Sequence, residues 1–556
     1  MFSLNLFVFC CLNEKICFTM KKRIYSVLFL FFVCIPFLNA QTPLITWVSG
    51  SNLTEQLGTY GTLGIAIATN IPGGRENSIS WTDNSNNLWL FGGDGYASSA
   101  TQGKLNDLWK YSISSNQWTW VAGANSTNSN GTYGTLGIAA TTNIPGARQN
   151  SVSWKDSGGN LWLFGGSGFA KTGVTGYLND LWKYNPTTNQ WTWVSGANTT
   201  NQVGSYGSIG ITSSSNVPGA RFGCVAWIYN DVLYLYGGQI ATSTRMNDLW
   251  KFDIATNQWT WIEGSNTSNQ NGIYGTLGVT SSSNAPGARQ AGIAWTDNSN
   301  NFWMLGGYGH ATSGTASYLN DLWKYDELSN QWTWMSGADS TFQPANYGIQ
   351  GVSASTNIPG ARQMSISAKD SNGDLWLFGA WGTIGPPFGR INDLWKYDLT
   401  SNEWTWMAGA NSTDQLGAYG TMGTPSTSNI PGARRMSVSW TDASGNFWLF
   451  GGNKTDGAGG SLLHNDLWKI KISSGTGIND GNIEDAFSLF PNPCSNKIYI
   501  DAPQTKETKL TISNVLGESV YTDIITGNKT IDVSAFSNGV YFIQIEKQSK
   551  KFIVNH

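Results

Sequence analysis

Charge is scarce in this sequence. Asp, Glu, Lys and Arg make up 12% of 556 residues, and the formal net charge is −3. No dense run of Lys or Arg occurs, which excludes a nucleic-acid interface built on a basic patch. Histidine is rarer still, at positions 310, 464 and 556 only. Four of the six cysteines (10, 11, 17 and 34) lie in the first 40 residues. Cys224 and Cys494 remain, in different segments, and both read as unpaired, buried small residues. An exported chain without disulfides depends on core packing. The apolar stretch Ile24 to Leu38 falls short of the ~20 residues of a membrane-spanning helix and is broken by Pro36. Residues 1–40 instead read as an export signal: Lys21-Lys22-Arg23, an apolar core, and Ala40 before Gln41. Met20 reads as the initiator, with residues 1–19 an over-called extension. No stable membrane span is expected in the mature chain.

Aromatic residues and glycine are plentiful, with 28 Trp and 66 Gly. That composition excludes a disordered chain. The Trp are periodic. The phrase NDLW occurs at Asn106, Asn179, Asn247, Asn320, Asn392 and Asn465, with spacings of 73, 68, 73, 72 and 73 residues. A glycine pair precedes each copy (Gly379-Ala380 in the fifth). A Pro-Gly-(Ala/Gly)-Arg motif comes earlier still, ending at Arg75, Arg148, Arg221, Arg289, Arg362 or Arg434. A WTW phrase closes each unit, at Trp118, Trp191, Trp259, Trp332 and Trp404.

Each unit holds four short strand-like runs. In the second they are 150–154, 161–164, 181–184 and 191–194, rich in aromatic and β-branched residues and bounded by turn formers. The second run, LWLF, is apolar on both faces, as expected of a strand pressed between neighbouring sheets. Four antiparallel strands repeated around an axis describe a β-propeller blade. Of the 28 Trp, 27 occupy repeated slots, which read as inter-blade core.

Blade six lacks its WTW strand, whereas ITWVSG (Ile45 to Gly50) stands alone before the first unit. Residues 45–49 are therefore expected to pair beside Asn465 to Lys471 and close six blades, leaving no open edge.

The Gly-Gly pair, the Tyr or Phe after NDLWK (Tyr111, Tyr184, Phe252, Tyr325, Tyr397) and the following Trp resemble kelch repeats, from Ile45 to about Ile472. The expected fold is all-β: a six-bladed kelch propeller (41–472) closed by its N-terminal strand, a linker (473–486), and a small C-terminal β-sandwich (487–556). These units are longer than the ~50 residues common for kelch. The excess carries a second phrase, YGTLG or a variant, at Tyr60, Tyr133, Tyr206, Tyr274, Tyr347 and Tyr419.

The last 70 residues run in order through Pro491-Asn-Pro493, Asn514-Val-Leu-Gly517, Asp532-Val-Ser534, Asn538-Gly-Val-Tyr541 and Lys550-Lys551. They resemble the C-terminal sorting domain of proteins exported by the type IX secretion system of Bacteroidetes-like bacteria. The resemblance implies that residues 487–556 engage that machinery and that the protein is secreted or held at the outer cell surface.

Chemistry is sparse. Some proteins sharing the propeller are copper oxidases resembling galactose oxidase, whose site needs two His, Tyr ligands and a Cys joined to a Tyr. Three His and no Cys in a His-rich setting do not supply it. His310 and His464 both fall between second and third strands, without a third ligand. No cofactor is expected. Arg75, Arg148, Arg221, Arg289, Arg362 and Arg434 share a face with Asp107, Asp180, Asp248, Asp321, Asp393 and Asp466 of NDLW. Their recurrence in every blade points to structural Arg–Asp locks rather than an anion site. The turns such as Asp83 to Asn87 lack a full calcium-ligand set and read as tight hairpins.

Symmetry breaks at blade five, in Gly379-Ala380-Trp381-Gly-Thr-Ile-Gly-Pro-Pro-Phe388-Gly-Arg390. Trp381 is the one Trp outside the repeated slots. Trp381, Phe388 and Arg390 are expected to form a glycan or protein contact. The simpler alternative packs Trp381 on Pro386 and Pro387. The leading expectation is a non-catalytic protein- or glycan-binding module. A sugar hydrolase, lyase or epimerase using acids on the loop face stands second, and a structural surface or adhesion component third.

Overall fold

A computed structural model describes residues 42–455, 461–472, 487–501, 507–515, 517–545 and 548–556. The export signal, the linker and part of the Asn514 to Gly517 motif lie outside the described residues. Every regular element among them is a strand, and no helix is long and apolar enough to cross a membrane. The chain divides after Ser473 into two compact units.

The first unit contains six antiparallel sheets of four or five strands. Their innermost strands neighbour one another in a closed cycle: Ile79–Thr82, Val152–Lys155, Val225–Tyr229, Ile293–Thr296, Ile366–Lys369, Val438–Thr441, and back to the first. In the second sheet the outer strands are Leu161–Phe169, Thr175–Asn185 and Gln190–Ser195. The two central strands thus run well past the apolar cores at 161–164 and 181–184. They do so because the chain bulges at Gly165-Gly166 and then resumes pairing, with φ of 65° and 99°. A Cβ on Gly165 would also lie 2.8 Å from the Arg221 carbonyl of the next blade.

The first strand, expected at 150–154, begins only at Val152 and is preceded by a separate short pairing. Arg148–Gln149 pairs separately from Val152–Lys155, and Asn150 between them has φ 55°. Its equivalents Asn77, Gly223, Ala291, Met364 and Met436 are also left-handed. Each of these six N–H groups donates to the carbonyl of its equivalent in the preceding blade. The six bonds form a closed ring, with Asn77 donating to Met436. Left-handed Ala and Met are costly on their own, and the ring bond offsets that cost.

ITWVSG closes the cycle. Leu44–Ser49 pairs antiparallel with Leu467–Lys471, with Ile45 opposite Ile470 and Trp47 opposite Trp468. The Gly423 N–H then caps the Trp47 carbonyl, as Gly64 caps that of Trp120. The YGT insertions are therefore edge covers, laid on the exposed side of each outermost strand.

Tryptophan fills the seams between sheets. Trp109, Trp182, Trp250, Trp323, Trp395 and Trp468 are fully buried. Indoles also tie blades together: Trp81 Nε1 donates to the Trp162 carbonyl at 3.0 Å, and Trp440 Nε1 to that of Trp89 at 2.8 Å. The second Trp of each WTW phrase departs from the core expectation. Trp120, Trp193, Trp261, Trp334 and Trp406 are only partly buried. Each is covered edge-on by the tyrosine of a YGT insertion, as Tyr60 covers Trp120 with ring centroids 5.1 Å apart.

The second unit has one three-stranded sheet and one of four strands, Thr508–Asn514, Ser519–Ile525, Gly539–Ile545 and Gln548–Val554. Ile498, Ile500 and Ile531 of the first meet Ile512, Ile543 and Phe552 of the second in one core. Cys494 is buried there and Cys224 in the first unit, both as free thiols.

Candidate functional site

The repeated arginines and aspartates meet. Arg148 Nη1 and Nη2 donate to the two carboxylate oxygens of Asp180, each at 2.7 Å. The same two-pronged pair joins Arg75–Asp107, Arg221–Asp248, Arg289–Asp321, Arg362–Asp393 and Arg434–Asp466. Sequence reasoning missed two further members. The YGT tyrosine donates to the same carboxylate, as Tyr133 does to Asp180 at 2.6 Å, and so does the NDLW indole, Trp182 at 2.7 Å. All six arginines are 0–1% exposed, so none of them faces a ligand.

The residue after each arginine behaves differently. Successive strand residues point to opposite faces, so Glu76, Gln149, Phe222, Gln290, Gln363 and Arg435 lie on the other side of the sheet from the locks. Each stands in register with a residue of the second strand: Asp94, Ser167, Gln239, Tyr308, Trp381 and Asn453. In the first five blades the third strand adds Lys104, Tyr177, Arg245, Tyr318 and Arg390 to the row. These positions around the axis vary from blade to blade although the locks do not.

Neighbouring rows touch. Tyr177 packs on Phe222 at 4.9 Å, and its hydroxyl accepts from Gln239 Nε2. Arg245 lies over the Tyr308 ring at 4.5 Å, and Tyr308 meets Tyr318 edge-on. Trp381 Nε1 donates to the Tyr318 hydroxyl at 2.9 Å, and both Arg390 and Arg435 lie against the Trp381 ring. Asn453 accepts from Arg390 Nε at 2.9 Å and donates to Glu76. Burial pushes the Glu76 carboxyl above its ordinary range, the Asn453 bond and Arg435 opposing.

The residues singled out in sequence thus come together, but not as a patch on the Pro386-Pro387 loop. Trp381 is half-buried, with Tyr318 and two guanidinium groups as its partners. Phe388 packs against Tyr318 with centroids 4.8 Å apart and rings tilted by 36°, and meets Phe342, which is 54% exposed. Arg390 is buried with its Nε already held by Asn453, so it braces Trp381 from inside the fold instead of offering a contact of its own. Pro386 and Pro387 are exposed. The two histidines do not share a site. His464 occupies the slot filled by Leu105, Leu178, Met246, Leu319 and Ile391 elsewhere, buried in the core, while His310 lies near Arg245. Among the described residues no three His, Cys, Asp or Glu side chains gather as a metal site.

The secretion system C-terminal sorting domain matches residues 488–555, and the kelch motif matches 157–195 and 220–260. N-acetylneuraminate epimerases of Shigella boydii serotype 4 (strain Sb227) and Escherichia coli (strain K12) are each 30% identical over 95 residues, 17% of this chain and 21% of theirs. The chain thus spans about a fifth of the length of the curated relatives it matches. It is a kelch-repeat, all-β protein carrying a type IX sorting domain, and it is secreted or held at the cell surface.

Proposed function

We propose that the protein is a non-catalytic binding propeller that takes a glycan on its central face, and that its C-terminal domain engages the type IX secretion machinery. The observation that carries the glycan reading is the partly exposed aromatic group of Tyr308, Tyr318, Trp381 and Phe388. Aromatic faces of this kind stack on the C–H faces of sugar rings, with tethered polar groups beside them to take hydroxyls. The group stands where the repeat is least regular, and its rings are fixed by hydrogen bonds and flanking guanidinium groups. A preformed site loses less entropy on binding.

A glycan array probed with the full chain and with Trp381→Ala tests this. Binding by the wild type and at least about tenfold weaker binding by the variant is the expected result, the size of one lost stacked ring. Absence of binding by both defeats the glycan reading.

The sugar-enzyme reading has one specific observation behind it, the half-buried Glu76 carboxyl beside Asn453 and Arg435. The matched relatives are named as epimerases. Exchange of N-acetylneuraminate epimers followed by NMR separates the readings: acceleration by the full chain that is lost in Glu76→Gln assigns catalysis.

A further inference from the structure

Buried polar atoms without partners recur by symmetry in the first unit, at the YGT-loop asparagines and at four of the WTW indoles. Among those outside these repeated slots, four belong to one half of the central face. Arg245 is 8% exposed, and its Nε has no hydrogen-bond partner. No carboxylate pairs with it among the described residues. Gln290 and Gln363, each 7% exposed, leave their Oε1 atoms unpaired, and His310 leaves its Nδ1 unpaired. The four belong to blades three to five and stand in contiguous rows. Arg245 lies on Tyr308, the register partner of Gln290. Tyr308 meets Tyr318, which holds Trp381, the register partner of Gln363.

Leaving such groups unpaired is destabilising, and the more so for a charge. The missing partners have a definite chemistry. A buried guanidinium without an acid calls for an oxyanion. Two amide oxygens call for donors, which hydroxyls supply. Burial lowers the Arg245 guanidinium, and burial together with that charge lowers His310, so an anion there would relieve both. On the glycan reading above, we propose that the face over blades three to five takes an oxyanion-bearing sugar, Arg245 receiving the oxyanion and Gln290 and Gln363 the ring hydroxyls. Bulk attraction does not account for such a preference, because the chain is net negative at −3.

Calorimetry of the full chain with dextran, dextran sulfate and polygalacturonate oligosaccharides of matched length tests it. Either acidic ligand is expected to bind at least about tenfold tighter than dextran, the scale of one charge-assisted bond. Whichever of the two does so identifies sulfate or carboxylate as the group. Arg245→Gln should bring the acid-to-neutral ratio to about one. Gln363→Leu, two blades away, should weaken both classes and keep the ratio. Equal binding of dextran and the acids overturns the oxyanion and leaves the glycan reading standing. An acidic preference that survives Arg245→Gln in a variant with wild-type unfolding overturns it too. Absence of binding to all three ends both.

Discussion

Arg75 and Glu76 are neighbours in the chain, as are Arg148 and Gln149, Arg221 and Phe222, Arg289 and Gln290, Arg362 and Gln363, and Arg434 and Arg435. The first of each pair is identical six times and closed inside a blade. The second takes four different identities and lies on the other side of the sheet. One peptide unit separates a repeated position from a variable one because a strand turns alternate side chains to opposite faces. The six-fold frame and the variable face are thus free to change independently, and changes at the two sets should fail in different ways.

The largest effect is expected where the frame is closed. Deleting residues 42–50 removes the outer strand of blade six, including Ile45, which is 1% exposed. It also opens the Leu467–Lys471 edge and leaves the Gly423 and Ser426 amides without their partners. Light scattering and thermal unfolding should show association and loss of a single cooperative transition. A monomeric deletion variant melting with the wild type would show that the ring closes without its clasp.

Next come the locks. Asp180→Ala leaves Arg148 charged and buried, and should cost about 3–5 kcal/mol in denaturant unfolding. Asp321→Ala, with the equivalent three partners and four hydrogen bonds, should cost the same within about 1 kcal/mol. Tyr133→Phe removes a single bond to the carboxylate and should cost about 1–2 kcal/mol. The adjacent Gln149→Ala should stay under about 1 kcal/mol. If Gln149→Ala approaches Asp180→Ala, the division between frame and face does not hold.

Much of the frame was legible in the sequence because it is periodic. The displaced ITWVSG showed where the ring closes, and the recurrence of Arg and Asp marked a structural set. The tyrosine of that set was visible as a recurring letter, but its partner was not. Tyr133 reaches Asp180 from an insertion 47 residues earlier, and a loop path carries no period. The central face was read only at Trp381, Phe388 and Arg390, in the blade where the glycine pair also changes. Its other positions come from three strands whose register is set by bulges, which leave no hydrophobic pattern. A signal was nevertheless present: the residue after each repeated arginine changes from blade to blade.

The smallest net effect should come from two places where the frame itself departs from symmetry. Glu263 fills a slot that holds Ser195 and Ser336 in neighbouring blades, and it accepts from the Trp332 indole across the seam. Burial, opposed by that bond, raises it from 4.5 to about 7. A carboxyl raised in the folded state favours folding below its unfolded pKa, and that advantage is lost as pH rises through 7. His464 works the other way. Burial and the Arg434 charge push it from 6.5 to about 3, so its neutral form favours folding above 6.5 and the benefit is lost as pH falls toward 3. Between pH 8 and pH 5 each term amounts to about 2 kcal/mol, with opposite signs. These two terms oppose each other, so the wild type should show a shallower change in unfolding midpoint across that window than either single variant. His464→Leu, which restores the residue of blades one, two and four, should become more stable on acidification. Glu263→Ser should become less stable, and the double variant should return to the wild-type profile. Parallel pH profiles for the two single variants would show that neither ionisation is coupled to folding.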